Sequence, residues 1–242
     1  MSVVLVTGAA GGLGSALVSA LVERGDRVIA LDRVPIDRDD VTSHVLDLAD
    51  EPAVAAALAA AEARGLVIRH VVAIAGGALP EEKTGADIGE LPLEVFRASL
   101  ELNLVTAWIT LRAALAHLRR AEGDRSITLT TSTDALASYG LPAYAAAKAG
   151  LIGLVHSLAG QLGAEGIRIN AVAPGDVPTP RNVREWGHVP GWYDRLRKGV
   201  PLGRLGTPED VAAAYLGLID MQHVTGQVIV VDGGATISRP SA

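Results

Sequence analysis

Short runs of consecutive apolar, often β-branched residues alternate along this chain with longer segments rich in alanine and leucine. The runs fall at residues 3–8, 27–32, 43–48, 70–76, 126–132, 168–175 and 227–234. In several of them the apolar residues are consecutive rather than alternating, the pattern of strands covered on both faces. The segments between them read as helices. Residues 13–24 (LGSALVSALVER) space their apolar positions at a helical period, and 51–64 are alanine-rich with high helix propensity. Residues 93–120 predict one or two helices and 142–162 another, and 208–220 open with proline and acids as a helix start does. Strands alternating with helices predict a doubly wound α/β sheet. No linker, repeat or low-complexity break interrupts the chain, so residues 1–242 are expected to form one domain. The least regular stretch, 175–206, carries prolines, two tryptophans and several charges. It predicts a long loop with room for one short helix, the kind of segment that closes over a substrate.

Composition narrows the classes. Of 242 residues about half are apolar but only 3% aromatic, so the core must be built from Ala, Val, Leu and Ile. The net charge is -6 with no basic block, which argues against nucleic acid. There is no cysteine, which removes disulfides, thiolate metal sites and cysteine nucleophiles, and fits a reducing cytoplasm. The opening MSVVLVTG has neither a charged region nor a small-residue cleavage site, so a secretory leader is not expected. No apolar run approaches the ~20 residues of a membrane helix. The six histidines are scattered without metal-ligand spacing, so no metal site is expected.

The first strand ends in TGAAGGLG, with Gly8, Gly12 and Gly14 at fixed points and Leu13 between the last two. Glycine permits a tight turn and close approach of backbone N–H groups to a pyrophosphate, and the following helix presents its positive end. A tight strand–helix turn with no ligand would also need glycine. The place of this one, between the first strand and the first helix, favours dinucleotide binding. The second strand ends in Asp32, 18 residues past Gly14. A carboxylate there accepts the hydroxyls of an adenosine ribose and repels a 2'-phosphate, which favours NAD(H) over NADP(H). Arg33 is the dissenting neighbour, and Asp32 also suits a plain strand-end turn.

Tyr144 and Lys148 stand four apart in PAYAAAKAG and share one face if 142–162 is a helix. A nearby ammonium favours the phenolate, so the pair forms a general acid/base for interconverting hydroxyl and carbonyl. The spacing alone equally describes an exposed helical pair.

Taken together, TGAAGGLG, Asp32, Asn103 in LELNL, Ser132 in TTSTDAL, YAAAK, APGDVPT (173–179) and the tail GRLGTPEDV…VTGQVIVVDGG resemble the short-chain dehydrogenase/reductase family. The resemblance runs from Val3 to Gly234 in the family's order. It implies a Rossmann-type sheet of seven mostly parallel strands with helices on both faces, in a homotetramer or dimer. It implies Tyr144 as acid/base, Lys148 lowering its pKa and binding the nicotinamide ribose, and Ser132 holding the substrate oxygen. Asn103 would position a water linking Lys148 to solvent. Asp47 and Leu48 match the adenine-contacting pair, and Val177 and Thr179 match contacts to the carboxamide and phosphate side, with Pro174 and Gly175 shaping that turn. Ala75 and Gly76, after the fourth strand, complete the cofactor contacts.

Two positions depart from the family pattern. Ala73–Ile74–Ala75–Gly76 lacks the asparagines usual there, which puts local sheet bonding in doubt. Ser132 lies 12 residues before Tyr144, where the commoner spacing would select Thr131. In the long loop, His188 lies near Trp186, Trp192 and Tyr193, a group suited either to closing over substrate or to packing on a neighbouring subunit. Asp134 either borders the substrate pocket or caps a turn. The expected activity is NAD(P)-dependent interconversion of a secondary alcohol and a ketone, with NAD favoured over NADP. The alternatives are reduction of a 3-oxoacyl thioester, with NADP(H), and a non-catalytic dinucleotide sensor.

Overall fold

The computed structural model describes residues 1–82, 87–137 and 140–237, with the Trp186 side chain also outside the described set. Seven strands form one sheet: β1 (Val3–Thr7), β2 (Arg27–Asp32), β3 (Thr42–Val45), β4 (His70–Ala73), β5 (Arg125–Thr130), β6 (Ile167–Pro174) and β7 (Val228–Val231). Their order is β3-β2-β1-β4-β5-β6-β7, and every pair is parallel rather than only most of them. The sequence reverses direction across the sheet between β1 and β4, and beyond the carboxyl ends of the strands at such a switch point open α/β sheets bind their ligands.

Alternate strand residues feed two separate cores. Leu5, Ile29, Leu31, Val71 and Ile127 pack on one face against α2 (Glu51–Ala63), α4 (Thr106–Arg120) and α5 (Pro142–Ala164). Val4, Val6, Val28, Ala30 and Val72 face the other way, onto α1 (Gly12–Glu23) and α8 (Pro208–Asp220). Burial on both faces explains the consecutive apolar runs of the central strands. The edge strands β3 and β7 are only half covered.

Two expectations are corrected. The loop over 175–206 holds two short helices, α6 (Pro180–Trp186) and α7 (Trp192–Lys198), rather than one at most. Thr179 caps α6 by accepting from the Asn182 N–H at 3.3 Å, and Pro180 opens its first turn. The doubt over bonding at the missing asparagines is also resolved. The Thr7 hydroxyl accepts from Ile74 N–H at 3.2 Å and Ala75 N–H at 3.4 Å, so β1 and β4 remain tied where the ladder ends. The 93–120 segment is two helices, α3 (Leu93–Leu100) and α4, joined without a break by a π-helical turn at Glu101–Val105.

Candidate active site

The carboxyl ends of β1, β4, β5 and β6 deliver the glycine loop, Ala75–Gly76, Ser132 and Gly175 to one edge of the sheet. At the first of these, Gly8 takes a left-handed φ of 67°, and a Cβ there would lie 2.7 Å from the Ala75 nitrogen. A Cβ on Gly14 would lie 2.0 Å from the Gly8 carbonyl oxygen, and one on Gly12 would lie 2.9 Å from Thr179 Cβ. The helix α1 that follows has no side-chain cap and no acid in its first turn. Its leading N–H groups therefore present a positive end that neither a cap side chain nor an acid of its first turn neutralises. A tight, side-chain-free cradle before an uncapped helix fits the pyrophosphate of a dinucleotide. Asp32 is bound into this loop, with Oδ2 accepting from Ala10 N–H at 2.9 Å and Oδ1 from Val34 N–H at 3.0 Å. Its two oxygens retain lone pairs for further donors. Arg33 is exposed beside it.

Helix α5 carries Tyr144 and Lys148 one turn apart, and the Lys148 Nζ stands 5.6 Å from the centre of the phenol ring. Lys148 is 2% exposed, and its Nζ donates to the Thr130 carbonyl at 2.8 Å. The Thr130 hydroxyl shares a 2.8 Å hydrogen bond with Tyr215 of α8. Thr131 donates to the backbone carbonyl of Lys148 at 2.7 Å, so that hydroxyl anchors the helix. Ser132 is thereby left as the hydroxyl next to the phenol. It in turn donates to Asp134 Oδ2 at 2.8 Å and accepts from the Asp134 N–H at 3.2 Å, starting a short 3-10 turn over Thr133–Ala135. Asp134 is thus both the turn residue and a neighbour of the site.

The electrostatics follow from this packing. Burial, reinforced by the Asp134 charge, pushes the Tyr144 phenol up to about 12, while Ser132 as a hydrogen-bonding neighbour and the Arg181 guanidinium act the other way. Burial pushes the Lys148 ammonium down to about 8, with Asp134 opposing. Asp134 itself is raised by burial. Asp176 is raised by burial and by the Asp134 charge.

Asn103 lies in the π-helical turn and is fully buried. Its Oδ1 accepts from Gly77 N–H at 2.8 Å, and its Nδ2 donates to Gly77 O at 3.1 Å and Ser99 O at 3.0 Å. Gly76 sits between Asn103 and Lys148: a Cβ on it would lie 2.4 Å from Asn103 Oδ1 and 3.2 Å from Lys148 Nζ. The remaining expected residues distribute as follows. Pro174 ends β6 opposite Val231, and Gly175 N–H donates to Val231 O at 2.9 Å. Val177 is buried, and Thr179 both caps α6 and abuts Gly12. Leu48 faces the core, while Asp47 is exposed and accepts from Ala49 N–H at 3.0 Å. His188 is exposed in the turn between α6 and α7.

Two residues at the site were missed by the sequence reading. Arg181 of α6 reaches over the chain after β4, donating to Gly76 O at 3.5 Å and to Ala78 O, and pairs with Glu185 at 2.8 Å. Glu82 accepts from the backbone at the start of α5. The pattern Thr179–Pro180 was a cap-and-first-turn signal that would have found α6 and thus Arg181. No local signal marks Glu82.

The chain is similar to known proteins over nearly its whole length. A family profile described as enoyl-(acyl carrier protein) reductase matches residues 8–236. The cis-4-hydroxycyclohexanecarboxylate dehydrogenase of Sinomonas cyclohexanicum is 34% identical, over 97% of this chain and 96% of its own. An oxidoreductase of the short-chain dehydrogenase/reductase family from Burkholderia thailandensis superposes with a TM-score of 0.88 at 37% identity, covering 98% of this chain and 94% of that one. A 3-oxoacyl-[acyl-carrier protein] reductase with bound NAD from Brucella melitensis gives 0.82 at 30% identity, covering 98% and 92%. The chain belongs to the short-chain dehydrogenase/reductase family of oxidoreductases.

Proposed function

We propose that this chain is an NAD-preferring dehydrogenase that interconverts a secondary alcohol and a ketone, with Tyr144 as acid/base. The observation that carries the reading is the placing of Tyr144, Lys148 and Ser132 together at the carboxyl edge of the sheet, beside the glycine cradle. A nicotinamide dinucleotide, when bound, supplies the hydride acceptor or donor. Gly8, Gly12, Leu13 and Gly14 would take its pyrophosphate, and Asp32 its adenosine ribose. Asp47 and Leu48 would border the adenine. Ala75, Gly76, Pro174, Gly175, Val177 and Thr179 would line the remainder. In oxidation Tyr144 takes the alcohol proton as the carbinol carbon loses hydride. In reduction it returns a proton to the carbonyl oxygen. Lys148 stabilises the phenolate, and Ser132 orients the reacting oxygen. Asn103, through Gly76 and Gly77, holds the chain next to Lys148 in place and would order the water path to it. Residues 1–242 act as one catalytic domain, 175–206 shape the substrate side, and the family resemblance suggests a cytoplasmic homo-oligomer.

Titration with NADH and NADPH, beside a panel of secondary alcohols and ketones, tests the reading. Tight NADH, weak NADPH and turnover of a panel member would support it. Tyr144→Phe should then retain NADH and lose turnover by about 10²–10⁴. Preference for NADPH with turnover of a 3-oxoacyl thioester would favour the second reading; the Brucella melitensis likeness, a structure with bound NAD, supports its substrate class and not its cofactor. Turnover unaffected by Tyr144→Phe would overturn the assignment of the acid/base.

A further inference from the structure

Helix α5 begins without a cap of its own. Leu141 stands at the cap position with no side-chain hydrogen bond, and Pro142 follows. The next two N–H groups, of Ala143 and Tyr144, have no partner within the helix. They are met instead by a residue 61 positions away in the chain. Glu82 Oε1 accepts from Ala143 N–H at 2.6 Å and from Tyr144 N–H at 3.2 Å, and Oε2 accepts from Tyr144 N–H at 3.1 Å. Glu82 is 4% exposed. A carboxylate that far from water is expensive unless its oxygens are hydrogen-bonded, and the positive end of a helix is a fitting place for it.

We propose that Glu82 is a positioning residue for Tyr144, fixing the start of the helix that carries the phenol and setting a carboxylate against the Tyr144 backbone. The proposal rests on the reading of Tyr144 as acid/base. Glu82 stands on the chain that leaves β4 through Gly76 and Gly77. Asn103 and Arg181 both hold that same chain, at Gly77 and at Gly76 and Ala78. The turn against Lys148 and the start of the helix bearing Tyr144 are therefore joined by a six-residue strap, 77–82. The charged and titratable groups that act on the phenol are Asp134 after β5, Arg181 of α6, Lys148 on its own helix, Tyr215 of α8 and Glu82. Asp134 and Glu82 favour the neutral phenol, whereas Ser132 and Arg181 favour the phenolate; an ammonium on Lys148, 5.6 Å from the ring, acts in the same sense as Arg181.

The test follows Tyr144 directly. The full chain is labelled with carbon-13 at tyrosine Cζ, the Tyr144 resonance is assigned with Tyr144→Phe, and its titration is recorded in wild type, Glu82→Gln and Glu82→Asp. Glu82→Gln keeps an acceptor and removes the charge, so the Tyr144 midpoint should fall by about half a pH unit or more. Glu82→Asp keeps the charge on a shorter arm, so the midpoint should stay near wild type while the melting temperature drops. A Glu82→Gln midpoint equal to wild type would overturn the proposal, as would a Glu82→Asp midpoint that falls as far as that of Glu82→Gln. If Glu82→Gln does not fold, Glu82→Asp decides alone: a retained midpoint supports the proposal and a fall overturns it. No turnover is needed for this readout. Failure of every alcohol in the panel would therefore count against the proposed reaction and leave the Glu82 result intact.

Discussion

Asp134 accepts the Ser132 hydroxyl proton at 2.8 Å while its own N–H donates back to the same oxygen at 3.2 Å. The serine therefore has its single proton committed to a carboxylate, and its orientation is fixed before any substrate arrives. A substrate oxygen that takes this hydrogen bond must compete with Asp134. Ser132→Ala should lower kcat by about 10²–10³ while leaving dinucleotide affinity unchanged, as for loss of one preorganised donor. Steady-state kinetics beside NADH titration would check this. Loss of both together would mean that the serine supports the cleft rather than the reacting oxygen.

The pH dependence has a definite sign in each direction of reaction. With the phenol raised to about 12, Tyr144 is protonated through the neutral range in the chain alone. Ketone reduction is then supplied with its proton donor and should show no acid-side loss from Tyr144. Alcohol oxidation needs the phenolate and should rise about tenfold per pH unit along its acid limb. Profiles of kcat/KM against pH in both directions would show the contrast. Equal slopes would exclude Tyr144 as the titrating group.

Lys148 makes a separate prediction for stability. Its pKa is lowered from 10.5 to about 8, so between these values the unfolded chain binds more protons than the folded one. Stability on this account rises with pH across that window and is lowest below it. Lys148→Met has the matching length without the charge. Its melting temperature should exceed wild type most at pH 7 and converge towards it as the pH approaches 10. A constant difference across that range would show that Lys148 is not the group responsible.

Asp32 should govern cofactor choice. Asp32→Ser removes the charge that repels a 2'-phosphate, so the ratio of NADPH to NADH in kcat/KM should rise by about tenfold or more. The same change withdraws the acceptors of Ala10 and Val34 N–H, at a cost of about 1–3 kcal/mol in stability. Kinetics with each cofactor and thermal melts separate the two effects. An unchanged ratio would leave Asp32 as a turn residue only.

Two glycines should respond in opposite ways to one methyl group. Gly14→Ala sets a Cβ 2.0 Å from the Gly8 carbonyl oxygen, and should cost about 1–3 kcal/mol with loss of dinucleotide binding. Gly217→Ala, inside α8, meets only the Met221 methyl at 3.9 Å, and should be neutral or stabilising by up to about 1 kcal/mol. Thermal melts of both variants would test the pair.

The parts of this molecule legible from its sequence are those whose causes are local. Consecutive apolar runs mark doubly covered strands, and the glycines after β1 mark a turn that a side chain would block. The Tyr144–Lys148 spacing places both on one face of α5 once the helix is granted. What was not legible depends on partners far apart in the chain. Glu82 has no neighbour in sequence that explains it, because its purpose lies at Ala143 and Tyr144. The choice between Ser132 and Thr131 was open for the same reason: the Thr131 hydroxyl donates to the backbone carbonyl of Lys148, a partner 17 positions away. The helices of the 175–206 segment were hidden by prolines read as breaks, although Pro180 is a helix start like Pro208.

The π-helical turn at Glu101–Val105 makes this part of the chain sensitive to length as well as to residue identity. Each residue of a regular helix advances the face by about 100°. Deleting one residue between Glu101 and Val105 would restore ordinary helical winding, yet swing everything beyond it relative to α3. Asn103 would then leave Gly77 even with its side chain intact. Insertions and deletions elsewhere on exposed loops are absorbed by slack in the chain. Here the count of residues is itself part of the site, and homologous chains should vary in sequence across this turn far more readily than in length.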